Sequence, residues 1–131
     1  MKKMPFTSLS QDWRTPRKVY DGLNQEFGFK DDPCPNHSLI DGLSREWGSP
    51  AFVNPPFKTI AKWVEKSYEE SQKGKTVVML IPARTDTRWF HDYCMKSQDI
   101  RFIKGRLKYE GAKFNAPFPS CVVVFRKEPR P

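Results

Sequence analysis

Ala51-Phe52-Val53-Asn54-Pro55-Pro56-Phe57-Lys58, AFVNPPFK, decides how the chain is read. Three small or apolar residues suit a buried strand, which then stops on an asparagine and two prolines. Proline fixes its own φ, lacks a backbone donor and drives the residue before it out of the helical region. Pro55 and Pro56 therefore forbid both a continuing central strand and an immediate helix. Beyond them Ile60, Trp63, Val64 and Tyr68 recur at helical spacing until Gly74. The unit predicted is strand, rigid turn, helix, with Asn54 and Phe57 carried on the turn. Taken alone, the tetrapeptide also fits an ordinary turn in which Asn54 only shapes the backbone.

Upstream, Thr15-Pro16 predicts a helix start, with Thr15 as cap and proline in the first turn. Val19, Leu23 and Phe27 follow at i, i+4, i+8, and Gly28 supplies the stop. Residues 29–32 form a short extended segment running into Pro33-Cys34-Pro35, and residues 39–43 carry the turn pair Asp41-Gly42. Downstream, TVVMLI at 76–81 is a continuous β-branched and apolar run, the pattern of a strand covered on both faces. Residues 82–86 break it, and Trp89, Phe90 and Tyr93 predict a third helix capped by Thr85 or Asp86. Residues 100–103, 107–109 and 121–125 read as further strands, with loop 111–119 joining the last two.

Strands alternating with helices, then an end-loaded strand pair, predict an α/β fold: a mixed sheet with helices on its faces, ending in an antiparallel pair. Ligands of such sheets sit at the carboxyl ends of the strands. Asp32-Pro33, the Asn54–Phe57 turn and residues 82–86 would then share one rim.

A length of 131 residues suits a single domain, with residues 1–11 and 126–131 expected to be loose. Hydrophobic content of 37% with 14% aromatic residues suffices for a packed core, while twelve prolines imply much loop. Twenty-three Lys and Arg against fifteen Asp and Glu leave a net charge of +8, which favours a polyanionic partner such as nucleic acid. The absence of a signal-length or membrane-length apolar run leads to the expectation of a cytoplasmic protein with no membrane partner. Cys34, Cys94 and Cys121 are an odd number at wide spacing, which fits reduced thiols. Cys34 and His37 have C-x-x-H spacing, but no second pair follows and no metal site is assigned.

Asn54-Pro55-Pro56-Phe57 after a hydrophobic strand resembles the catalytic motif of S-adenosylmethionine-dependent methyltransferases acting on planar amino or amide nitrogens. Asp12-Trp13-Arg14-Thr15-Pro16, Glu26-Phe27-Gly28-Phe29, Asp41-Gly42-Leu43, the run from Ile81 to Trp89, and Ala116-Pro117-Phe118-Pro119-Ser120 before Val122 to Phe125 widen the pattern. From Asp12 to Phe125 the chain resembles the small phage and prophage DNA N6-adenine methyltransferase family. The resemblance implies a pared-down, Rossmann-like class I methyltransferase fold, S-adenosylmethionine as cofactor, DNA as partner and a bacterial or phage-infected cell as setting.

Adenine N6 is a poor nucleophile because its lone pair is delocalised into the ring. The resemblance implies that the Asn54 side-chain oxygen and the Pro55 carbonyl accept the two N6 hydrogens, that the prolines hold both acceptors fixed, and that Phe57 stacks on a base flipped from the helix. For the cofactor it implies Thr15 and Pro16 in an N-terminal segment, Asp32 and Pro33 at the methionine part, and Asp41 with Leu43 at the adenine. The glycine-rich loop of larger methyltransferases is missing, and only eight residues separate Asp32 from Asp41, so the cofactor pocket is shortened.

Arg84 and Thr85 have two readings, a hold on DNA phosphate or, for Thr85 with Asp86, a helix cap. Lys104, Arg106, Lys108 and Lys113, with Tyr109 and Phe114 interleaved, form a candidate surface for tracking the DNA backbone, against a default of solvated basic residues. His91 receives no catalytic role. Cys34 superficially supplies the nucleophile of a C5-cytosine enzyme, but that chemistry leaves the Asn54–Phe57 turn unexplained. Cytosine N4, an RNA base or a protein glutamine presents the same kind of nitrogen, and a degenerate DNA-binding member of the fold is a further alternative. No separate recognition domain is expected in so short a chain, so the expectation is that specificity is low, or is built from loops such as 111–119 or from a second subunit in a homodimer.

Overall fold

The TVVMLI run becomes the centre of the sheet. In the computed structural model, which describes residues 14–35 and 41–127, strand β2 (Val77–Pro82) is buried at every position. Strand β1 (Ala51–Val53) pairs with it in parallel, in the register Ala51 to Val77 and Val53 to Met79. On its other edge β2 pairs antiparallel with β4 (Ser120–Phe125), and β3 (Asp99–Phe102) lies antiparallel outside β4. The order β1-β2-β4-β3 makes a mixed α/β sheet, and three α-helices accompany it among the described residues: α1 (Arg17–Phe27), α2 (Ile60–Gln72) and α3 (Arg88–Asp92).

Strand alternation sorts the core into two layers. Ala51, Val53, Val77, Met79, Ile81, Cys121, Val123 and Phe125 face Trp63 and Val64 of α2 and Phe90 of α3. Phe52, Val78, Leu80, Val122 and Val124 face Leu23 of α1 and Tyr109, Ala116 and Phe118 of the long loop before β4. Both faces are thus covered, which explains why β2 and β4 read as unbroken apolar runs. Each Val, Leu, Ile, Phe or Met side chain so withdrawn from water stabilises the fold by roughly 1.5–3 kcal/mol.

Helix α1 ends as its sequence predicts: Gly28 adopts a left-handed φ of 67° and its N–H bonds the Asn24 carbonyl at 2.8 Å. Its start is different, because Pro16 occupies the cap position and no side chain caps the first turn. Thr15 is engaged elsewhere. Helix α3 is capped neither by Thr85 nor by Asp86 but by Thr87, whose hydroxyl accepts from the Phe90 N–H at 3.3 Å. Residues 85 and 86 are consumed by a turn in which the Thr87 N–H and hydroxyl both donate to the Arg84 carbonyl.

The expected strand at 107–109 is not formed. A strand has two edges, and those of β4 are already taken by β2 and β3. Residues 107–110 instead fold over the sheet: Tyr109 is buried with its hydroxyl 3.2 Å from Ser120 Oγ, Leu107 accepts from the Ala116 N–H at 2.7 Å, and Glu110 bridges to Arg14. The antiparallel pairs are therefore β2–β4 and β3–β4. The segment at 29–32 makes only an isolated parallel bridge, Asp31 to Ala51, which extends the sheet beyond β1. Of the ends expected to be loose, residues 1–11 and 128–131 lie outside the described residues, whereas Arg126 is tied by its Nε to Thr76 Oγ1 at 3.2 Å.

Candidate active site

The Asp31 bridge, β1 and β2 run parallel, so the residues that follow each of them emerge on one rim, as the sequence pattern predicts. A cleft of about 460 Å³ opens over the first two of these ends, and Thr15, Asp32 and Asn54 all line it. Phe52 and Tyr20 supply apolar wall, their rings meeting edge to face at 5.2 Å. Arg14, Arg17, Asp21 and Glu110 give the cleft a mixed charge, and Cys34 completes it.

Asn54 is held where β1 stops. Its side chain is buried, and Nδ2 donates to Thr15 Oγ1 at 3.1 Å. The strap bearing Thr15 is itself fixed, because Arg14 and Glu110 exchange backbone hydrogen bonds of 3.1 and 2.9 Å. Pro55 is buried, and Pro56 keeps an extended ψ of 138° before the chain tightens into a 3-10 turn, Phe57–Thr59, that feeds α2. The strand, rigid turn and helix predicted from AFVNPPFK are all present. Phe57 is half-buried, its ring edge to face with Phe118 at 5.0 Å and 85°.

Two adjacent carboxylates occupy opposite environments. Asp31 is clamped by both terminal nitrogens of Arg45, at 2.8 and 2.9 Å, and by the Gly48 N–H at 2.7 Å. These bonds, led by the one from Arg45, hold its carboxyl below the usual range. Asp32 opens onto the cleft, yet the confining walls strip enough water from it to push its carboxyl up to about 6, and the charge of Asp31 adds to the rise. Tyr20 is also raised, first by burial and then by Asp32 and Asp21.

Pro33 lies buried behind Asp32. Gly42 packs directly upon it: a Cβ at that position would overlap the Pro33 carbonyl and crowd the Trp63 ring. The Trp47 indole N–H donates to the Gly42 carbonyl at 2.7 Å, completing the clamp. Asp41 is exposed and turns its carboxylate back to accept from the Leu43 N–H at 3.1 Å, while half-buried Leu43 packs toward the α2 side of the core. Asp41 and Leu43 thus stand beside the Asp32-Pro33 segment, outside the cleft lining.

Arg84 and Thr85 are exposed at the carboxyl end of β2, and the His91 ring Nε2 lies 2.7 Å from the Thr85 carbonyl. Arg106, Lys108 and Lys113 are exposed on the long loop, whereas Tyr109, expected among them, belongs to the core. None of these cations lines the cleft. The sequence pattern does not single out Tyr20 or Glu110, and it carries Phe52 and Arg14 only within longer runs, with no site role. Tyr20 shares the helical face of Leu23 and Phe27, and Phe52 alternates with Ala51 and Val53, so periodicity held a signal for both. Arg14 and Glu110 meet through backbone pairing of distant segments, which leaves no trace in their side chains.

Among the described residues no group of His, Cys, Asp and Glu is arranged to hold a metal ion, and His37 lies outside them. No described helix is long and apolar enough to cross a membrane. A DNA N-6-adenine-methyltransferase of Escherichia phage T1 is 28% identical over 108 aligned residues, which cover 72% of this chain and 45% of that protein. The chain therefore spans less than half the length of this relative. Residues 5–128, which carry the strap, the cleft and the proline turn, match the family described as DNA N-6-adenine-methyltransferase (Dam), and the chain belongs to that family.

Proposed function

We propose that the cleft binds S-adenosylmethionine and that the Asn54–Phe57 turn presents an adenine, flipped from DNA, for direct methylation at N6. The observation that carries this reading is the buried Asn54 side chain, held on Thr15 at the end of β1 and sharing one cleft with Asp32. The fold supports it as a pared-down, Rossmann-like class I methyltransferase: parallel strands on the cleft side, and an antiparallel β4 inserted between β2 and β3.

The cleft suits the cofactor. Its volume of about 460 Å³ lies within the roughly 300–1,000 Å³ usual for small-molecule sites. Asp32 presents an exposed carboxylate to the cleft, which a ligand carrying cationic ammonium and sulfonium groups would neutralise. Phe52 and Tyr20 offer apolar wall. When bound, S-adenosylmethionine supplies an electrophilic methyl group. Asp32, Pro33 and the strap backbone at Thr15-Pro16 would hold it, leaving the Thr15 hydroxyl to Asn54, with Asp41-Gly42-Leu43 supporting the segment from behind.

Asn54 and Pro55 act on the adenine. Accepting one N6 hydrogen at the Asn54 amide oxygen and the other at the Pro55 carbonyl favours the geometry in which the nitrogen lone pair leaves the ring plane. The surplus proton leaves after the N–C bond forms, so Asn54 need not be a strong base. Positioning and fixed dipoles do the catalysis. Flipping the base costs a few kcal/mol. Stacking on Phe57 returns roughly 1–3 kcal/mol, and the edge contact with Phe118 keeps the Phe57 ring ready.

The test is transfer of labelled methyl from S-adenosylmethionine to unmethylated DNA, RNA and protein, with digestion of the DNA to nucleosides. The expected product is N6-methyladenine. Label confined to RNA or protein, or appearing on cytosine, overturns the assignment.

A further inference from the structure

Met95, Phe102 and Phe114 are the large apolar side chains that stand exposed among the described residues, at 54%, 64% and 60%. Phe102 lies on the outer strand β3, with β4 and β2 between it and β1, and Met95 follows α3. Phe114 is placed differently. Four residues before it, Glu110 lines the cleft and pairs with the Arg14 backbone. Four residues after it, Phe118 contacts the Phe57 ring at 5.0 Å. Ala116 is buried and bonded to the Leu107 carbonyl, so the loop is anchored on both sides and only its tip projects. Four residues span at most roughly 14 Å, which keeps Phe114 within that distance of both shoulders.

We propose that Phe114 is the wedge that enters the base stack as the target adenine leaves it, with Lys113 beside it on a flanking phosphate. The inference rests on the cleft being a site for DNA adenine. Moving an exposed aromatic ring into a base stack withdraws its apolar surface from water, which is favourable. Extruding a base opens an apolar gap between the neighbouring pairs, and inserted Phe, Leu or Met side chains are a general means of holding such a step open. Lys113 and Lys108 are exposed on the same loop, cations available to the phosphates that flank such a gap. Phe118 rests on Phe57, so the loop that would carry the entering ring also contacts the ring proposed to receive the base.

The wedge matters only when a base must be taken out of a duplex. The full-length chain and its Phe114→Ala and Phe114→Trp variants are assayed for methyl transfer to one oligonucleotide as duplex, as single strand and as duplex with the target adenine mismatched. Phe114→Ala is expected to lose about tenfold or more on the matched duplex, while changing less than about twofold on the single strand and the mismatch. Phe114→Trp is expected to retain most duplex activity, and thermal melts should be unchanged for a side chain this exposed. Equal loss on all three substrates, or undiminished duplex activity of Phe114→Ala, overturns the wedge while leaving the methyltransferase reading intact. A wild-type chain that labels no form of DNA overturns both.

Discussion

Asn54 Nδ2 donates to Thr15 Oγ1 at 3.1 Å, joining the residue that ends β1 to the strap that precedes α1. Thr15 is therefore a positioning residue for the proposed acceptor rather than the helix cap its sequence context suggests. A hydroxyl can donate as well as accept, so serine should serve in its place. Thr15→Val is expected to lower kcat about tenfold, equivalent to about 1.4 kcal/mol, with cofactor affinity nearly unchanged, and Thr15→Ser should restore turnover. A large rise in cofactor Kd with unchanged kcat would instead place Thr15 on the cofactor.

Asn54→Ala removes the proposed acceptor and the partly buried hydrogen bond to Thr15. The bond is worth about 1 kcal/mol, so the variant should melt only slightly below the wild type. Methyl transfer should disappear while the cofactor still binds. Transfer assays, calorimetric titration and thermal melts on one preparation separate these outcomes, and an active Asn54→Ala enzyme would remove the residue from the mechanism.

How much of this site is legible in the sequence follows from the range over which each feature is encoded. The proline turn is local: Pro55 and Pro56 restrict their own dihedrals and those before them, and Ile60, Trp63 and Val64 declare the next helix by period. The centre of the sheet is legible because β2 is apolar on both faces. The fate of residues 107–109 is not, since a half-apolar triplet reads as a strand until one knows that both edges of β4 are taken. Thr87 displaces Thr85 as cap by a shift of two residues that three consecutive polar residues leave undetermined. The strap at Arg14–Pro16 owes its place to backbone bonds with Glu110, and backbone bonds have no residue signature.

In the proposed site, Asp32 is expected to tie cofactor binding to pH. Its folded pKa is raised from 3.8 to about 6, so the stability it contributes is full below the unfolded value and lost as pH rises through about 6. Asp32→Asn should therefore melt higher than the wild type at neutral pH and not at acid pH. Binding runs the other way. In the wild type, affinity for the cationic cofactor is expected to rise as Asp32 ionises through about pH 6, and Asp32→Asn should bind weakly at every pH. Calorimetric titration and melts on either side of that value check both halves, and a variant that keeps the wild-type affinity profile would acquit Asp32.

Glu70 fixes the loop that backs the Asp32-Pro33 segment. Its carboxylate is fully buried on α2, where it accepts from Lys75 Nζ at 2.6 Å, the Trp47 N–H at 3.0 Å and Lys73 Nζ at 3.1 Å, with Lys66 Nζ at 3.3 Å. Burial alone would raise its pKa, but the bonds from Lys75, Trp47, Lys73 and Lys66 prevail and hold it at about 2. The depressed value means that its contribution to stability is complete above the unfolded value of 4.5 and is lost as pH falls toward about 2. Glu70→Ala would leave the Trp47 N–H and the lysines without their shared acceptor. Removing one partner of a buried pair costs about 3–5 kcal/mol, and the partly exposed lysines recover some of it by turning to water, so a loss of about 2–3 kcal/mol is expected. Trp47 also donates to Gly42, which packs on Pro33, so loosening this loop should weaken cofactor binding before it affects turnover at saturating cofactor. Chemical denaturation at neutral pH and kcat against cofactor KM read the two effects separately; unchanged KM in a destabilised Glu70→Ala variant would confine Glu70 to the fold.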